Sequence, residues 1–124
     1  MRPRSTALTG QELEIMKVIW ERERATVRDV YETLLEHRKI AYTTVMTMMK
    51  ILEEKKYLKK TQEDRAYVYS PAKPKNQVIR GMVREFIDRV FNGSAEPLLA
   101  HLIEDERLEK KDLEEIARMI RKEL

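Results

Sequence analysis

The feature that most constrains this chain is a helical hydrophobic period that gives way to a β period within residues 40–70. That stretch reads IAYTTVMTMMKILEEKKYLKKTQEDRAYVYS. Val45, Met48, Met49 and Leu52 recur at i, i+3, i+4 and i+7, which gives one helix an apolar face. A threonine of the Tyr42-Thr43-Thr44 group is expected to cap that helix. Its outward face is unusual, since Thr44, Met46, Thr47 and Lys50 place hydroxyls, one apolar side chain and one cation together. No acidic residue follows until Glu53. A face that merely meets water normally mixes both signs of charge. Residues 58–61 and 65–70 then alternate as strands do, around the polar turn Gln62-Glu63-Asp64. A helix presenting hydroxyls and methyls, followed by a basic hairpin, is the sequence form of a winged helix-turn-helix recognition unit.

The residues before it supply two more helices. Thr9 and Glu12 have the spacing of a capping box, with Leu8 and Leu13 as its hydrophobic staple. Leu13, Met16, Ile19 and Trp20 form the buried stripe of the first helix, widened by Ile15; the register makes Trp20 a core anchor. After the charged turn 21–24, Ala25-Thr26 can pair as a short strand. Thr26 and Asp29 form a second capping box. Val27, Val30, Tyr31, Leu34 and Leu35 are the core face of the second helix. Two short helices joined by a brief polar connection are the helix-turn-helix pattern. Residues 1–7, with Arg2 and Arg4, read as a basic arm or as a plain chain terminus.

Pro71 and Pro74, with Lys73 and Lys75, read as a stiff non-helical linker. Beyond it Val78, Ile79, Met82, Val83, Phe86, Ile87, Val90 and Phe91 place apolar pairs at every helical turn. Asn92-Gly93 is a helix stop, and Ser94 is expected to cap the next helix. Leu98, Leu99, Leu102 and Ile103 give that helix its apolar face. A last helix from about Lys110 turns Leu113, Ile116, Met119 and Ile120 inward. So short a set of helices does not bury such wide stripes unaided, and small chains of this kind need oligomerisation or another staple. The expectation is therefore a mainly α chain with a small β wing. Residues 1–72 form a winged-helix domain, and residues 73–124 form a helical homodimerisation domain. Its interface is assigned to Val78, Met82, Phe86, Val90, Leu98, Leu102, Ile116 and Ile120. The alternative is a helical cap folded onto its own first half.

Composition bears on partners. Net charge is only +3, but the first 75 residues hold 16 basic and 11 acidic side chains, whereas the remainder holds 9 and 11. An anionic partner therefore suits the first half only. The absence of cysteine excludes disulfides, thiolate metal sites and cysteine nucleophiles. Neither a signal-peptide pattern nor a run of ~18 apolar residues is present, so a cytoplasmic chain without stable membrane association is expected. His37 and His101 have no partner at metal spacing, and three glycines form no phosphate loop. No enzyme, metal or cofactor is expected, and the Met46, Met48, Met49 group is accounted for mainly by core packing.

These motifs together resemble the penicillinase and methicillin-resistance repressor family (BlaI/MecI/CopY type). LTGQELEIMKVIW is similar to that family's first helix, TVRDVYETL to its second, AYTTVMTMMKILEEKKYL to its recognition helix and RAYVYSP to its second wing strand. The resemblance runs end to end, carried by identity in the first half and by spacing in the second. It implies a dimeric winged-helix repressor on a two-fold symmetric operator, upstream of antibiotic-resistance or, in one branch, copper-handling genes. It also implies derepression by proteolysis through a membrane sensor-protease system, at an asparagine–phenylalanine bond whose corresponding place here is His101-Leu102. The copper branch uses C-terminal cysteines, which this chain lacks. Three departures stand out: Ile51 where many members are basic, Lys56 where glycine is common, and Asp64-Arg65 where Gly-Arg is usual.

On this reading Lys50, Arg65 and the arm contact phosphates, while Thr43, Thr44, Met46 and Thr47 face base edges. Thr43 serves equally well as a cap. Two other readings stay open: a winged-helix protein-interaction module that never binds DNA, and a regulator with a small ligand at its dimer interface.

Overall fold

The computed structural model describes residues 7–105 and 108–123, the side chains of 119–123 excepted. The basic arm at Arg2 and Arg4 and the side chains of Met119 and Ile120 thus lie outside the described residues. The order is α1 Gly10–Arg22, α2 Val27–Leu35, α3 Tyr42–Glu54, β1 Leu58–Glu63, β2 Ala66–Pro71, α4 Lys75–Phe91, α5 Glu96–Glu104 and α6 Lys110–Glu123. The chain forms two compact units, one ending at Ile79 and the other beginning at Arg80.

Both capping boxes close the helix starts for which their spacing argues. Thr9 Oγ1 accepts from Glu12 N–H at 3.2 Å, and Thr9 N–H donates to Glu12 Oε1 at 2.8 Å. Thr26 and Asp29 repeat the exchange at 3.1 and 2.9 Å. The core of the first unit is made by Ile15, Met16 and Ile19 of α1, Val30 and Leu34 of α2, and Val45, Met49 and Leu52 of α3. Tyr57, Leu58, Tyr69 and Val78 close it. Ile15 is therefore central rather than peripheral, while Leu13 and Trp20 are half-buried. Leu35 is 42% exposed and leaves the expected core face. It is the last residue of α2, roughly 100° around the helix from the buried Leu34.

β1 and β2 pair antiparallel from Leu58↔Pro71 to Glu63↔Ala66. The turn is therefore Asp64-Arg65, not residues 62–64, and Arg65 sits at the wing tip rather than in the strand. Asp64 takes φ 55°, which lets two residues reverse the chain. Ala25 and Tyr69 form an isolated bridge with N–H to O distances of 2.9 and 2.8 Å, the short pairing expected at Ala25.

The proline segment is not a free spacer. Pro71 lies in β2, Ala72 N–H donates to Tyr57 O at 2.8 Å, and Trp20 Nε1 donates to Lys73 O at 3.1 Å. Lys73 Nζ stands 4.4 Å from the centre of the Tyr57 ring. α4 consequently begins within the first unit, and Val78, at 6% exposed, is one of its core residues rather than part of an open stripe.

In the second unit α4 is stopped after Phe91 by Asn92 and Gly93, with φ 52° and 86°, the helix stop read from those two residues. Gly93 N–H donates to Ile87 O at 3.1 Å. Ser94 does not cap α5; Ala95 holds the N-cap position without a side-chain hydrogen bond. Phe91 packs against Phe86 (ring centroids 5.8 Å) and His101 (6.0 Å).

Candidate nucleic-acid interface

α3 rests on the first unit through Val45, Met49 and Leu52, which leaves Thr43, Thr44, Met46, Thr47 and Lys50 exposed together. Met46 is 46% exposed, so one methionine of the three is an outward apolar group and Met49 is pure core. The expected threonine cap is absent. Ala41 occupies the N-cap position with φ −85° and ψ 144°, and its carbonyl accepts from Thr44 and Val45 N–H at 3.1 and 3.2 Å. Thr43 and Thr44 therefore fall in the first helical turn, past the position from which a hydroxyl caps. Tyr42 stays in place instead through an edge-to-face contact with Tyr31 of α2, centroids 5.4 Å apart. Ile51 is half-buried, so an apolar residue suits that departure from the family pattern.

The cations around α3 divide into those held by carboxylates and those left facing solvent. Lys60 Nζ lies 3.5 Å from Glu53 and 4.5 Å from the centre of the Tyr67 ring. Arg24 is paired with Glu63, which ties the wing to the α1–α2 connection. Arg38 bonds Glu14 at 3.1 Å, and Arg28 bonds Glu32 at 3.1 Å. Lys55 at the end of α3 is turned inward onto Glu12. Among the described residues, no ion pair holds Lys50, Lys59 or Arg65, and all three are exposed. Lys50 on α3 and Arg65 at the wing tip are the two anticipated cations; Lys59 on β1 is a third that sequence alone does not separate from Lys60. The exposed Tyr67 beside Lys60 likewise escapes sequence reasoning, because strand alternation does not tell which tyrosine of the wing is covered.

The scaffold beneath is electrostatically settled. The N–H of Thr26 bonded to Asp29 holds its carboxyl below the usual aspartate range, against the opposing effect of burial, with the Thr26 hydroxyl and Arg22 assisting. Burial pushes Glu12 upward, but the Thr9 N–H and the Lys55 ammonium prevail and its carboxyl also titrates low. Burial, foremost, raises the Tyr69 hydroxyl. Among the described residues, no group of three or more His, Asp or Glu side chains stands placed to hold a metal ion, and no helix is long and apolar enough to cross a membrane.

In the second unit Phe86, Val90, Leu102 and Ile116 are exposed large apolar side chains, joined by Val83, Leu99 and Ile103. Met82 and Leu98 are half-buried. His101 and Leu102 are consecutive, exposed residues inside α5.

The penicillinase repressor family model matches residues 8–122. The transcriptional regulator BlaI of Mycobacterium tuberculosis is 36% identical over 101 residues, covering 80% of this chain and 73% of that protein. The penicillinase repressor of Bacillus licheniformis is 26% identical over 113 residues, covering 91% and 88%. Among solved structures, the solution structure of the DNA-binding domain of the repressor BlaI is similar with a TM-score of 0.53 and 28% identity, over 60% of this chain and 90% of that one. The Bacillus licheniformis BlaI monomeric form, solved in complex with the blaP half-operator, is similar with a TM-score of 0.50 and 30% identity, over 60% and 87%.

Proposed function

The chain belongs to the penicillinase repressor family, and from that membership we propose that it is a sequence-specific, DNA-binding transcriptional repressor that reads its operator with α3. The family consists of transcriptional repressors, not enzymes. The observation that carries the reading is the outward face of α3: Thr43, Thr44, Met46, Thr47 and Lys50 exposed side by side with no carboxylate among them. Threonine hydroxyls bond base edges in the major groove, and threonine and methionine methyls pack against thymine. Lys50, Lys59 and Arg65, which no carboxylate among the described residues holds, supply the phosphate contacts that keep the helix in register. A relative solved on a half-operator supports the same use of this fold. A module that only binds protein would have no need of an acid-free, hydroxyl-rich face.

The repressor acts as a homodimer through the second unit, with Met82, Phe86, Val90, Leu98, Leu102 and Ile116 on the shared face. Support comes from the apolar side chains that this unit leaves exposed. Two heads then meet two half-sites about one helical turn apart, each raising the other's effective concentration. Repression is relieved by a cut within this unit, at or near His101-Leu102, which unlinks the heads. That part rests on the resemblance and on the exposure of both residues.

Gel shifts on the DNA upstream of the chain's own gene, against random DNA of equal length, test the first claim. Equal affinity for both would refute base reading. Fragment masses from induced cells test the last. An intact chain under full derepression would end that account, and a cut in residues 71–76 would relocate it.

A further inference from the structure

Lys55 is the C-cap of α3, yet its side chain is only 14% exposed. Its ammonium donates to both oxygens of Glu12, at 2.9 and 3.1 Å, and to Ala7 O at 3.2 Å. An ammonium has three donors, and here all three are used. Glu12, whose side chain is 5% exposed, is equally occupied, since its Oε1 also receives the Thr9 N–H at 2.8 Å. One node therefore joins the segment before α1, the first turn of α1 and the end of α3.

The rest of the seat of α3 is apolar. Val45, Met49 and Leu52 resist its removal but are non-directional, so small rotations about the helix axis change little of what they bury. Reading base edges tolerates no such rotation, because hydrogen bonds to bases need donor and acceptor within a narrow range of distance and angle. The directional side-chain contacts at the ends of α3 are the Tyr31–Tyr42 edge contact at its start, the half-exposed Glu53–Lys60 pair at its rim and, far more enclosed, the Glu12–Lys55 bonds at its end.

We propose that Glu12 and Lys55 are positioning residues for base reading, acting through α3, and that Lys55 is not a phosphate contact despite its place in a basic sequence. This rests on the assignment of α3 as the reading helix. Replacing a buried ion pair by uncharged residues of similar volume often leaves stability unchanged, so the two roles separate. The double variant Glu12→Gln, Lys55→Met suits this: glutamine keeps the acceptor for Thr9 N–H, and no charge is left buried.

The experiment measures fluorescence anisotropy of labelled upstream DNA and of random DNA of equal length over a range of salt, with urea unfolding in parallel. In the double variant the preference for upstream over random DNA should fall about tenfold or more, the size of one lost base contact. Affinity for random DNA, its salt slope and the urea midpoint should stay near wild type. An unchanged preference would make the pair a stabiliser only. A salt slope smaller by about one would make Lys55 a phosphate contact, and either result overturns the proposal. If the double variant does not fold, Lys55→Arg decides. It keeps the charge but cannot reproduce the three-way ammonium geometry, so preference should fall about threefold with random binding intact; full preference overturns the proposal. Wild-type protein without preference would refute α3 as reading helix and this inference with it, whereas loss in the variants alone concerns the pair.

Discussion

The amide of Tyr57 donates to the carbonyl of Leu52 at 2.9 Å across the end of α3, with Lys56 between them at φ 72°. Lys56 N–H donates in turn to Glu53 O at 3.0 Å. The two bonds make a Schellman closure, and the buried side chains of Leu52 and Tyr57 accompany it. It turns the chain straight from α3 into the wing, so the orientation of one depends on the other.

A lysine at a left-handed position crowds its Cβ against the backbone, which glycine does not. Lys56→Gly should therefore stabilise the first unit by about 0.5–1 kcal/mol. Urea unfolding checks this as a raised midpoint with unchanged m-value. A lowered midpoint would mean that the lysine side chain contributes more than its backbone conformation costs.

Legibility follows sequence distance. Capping boxes and the Val45, Met49, Leu52 stripe are readable because all their partners lie within one or two helical turns. The Lys55–Glu12 and Arg24–Glu63 pairs span 43 and 39 residues, and nothing local tells that either cation has a carboxylate waiting for it. The threonine cap misleads because Thr43 and Thr44 carry the same propensity two and three positions past the cap as at it; Ala41, with no side-chain signal, holds the position by backbone geometry. The wing turn is displaced because Asp64 accepts a positive φ that its identity permits but does not announce. Val78 reads as outward because periodicity extends to the start of α4, whereas that first turn belongs to the first unit.

Asp29 gives a pH prediction. Its ionised form is favoured in the fold, so its contribution is full above the unfolded titration and is lost as pH falls through the depressed folded value. Asp29→Ala should cost about 1 kcal/mol at pH 7. The gap from wild type should narrow as pH falls below about 4, where the unfolded aspartate takes up its proton first, and close only once the folded carboxyl is protonated too. Chemical unfolding at pH 7 and at steps down through pH 3 measures both, and a gap that does not narrow in acid would argue against the ionised cap.

Thr47 and Lys50 lie on the same exposed face but should fail differently. Thr47→Ala is expected to weaken operator binding by ~1–3 kcal/mol and leave random DNA nearly unaffected. Lys50→Ala should weaken both and reduce the salt slope by about one. Equal losses on both DNAs for Thr47→Ala would remove it from base contact.

The exposed apolar face of the second unit yields the last prediction. Phe86 is 40% exposed, and Val90, one turn along α4, is 49% exposed. Side chains of this size remain so open in a stable protein when another surface covers them, and a carboxylate placed there would be desolvated without a partner. Phe86→Asp should therefore give a monomer in sedimentation velocity at micromolar concentration. Phe86 also packs on Phe91, so its loss alone could loosen the unit from within. Val90→Asp makes the same test without removing a ring contact, and should also give a folded monomer. Such monomers keep an intact α3 and wing, so they should bind a half-site as wild-type heads do but lose the gain from two linked half-sites. Dimers in both variants would mean that this face is covered by something other than a second copy.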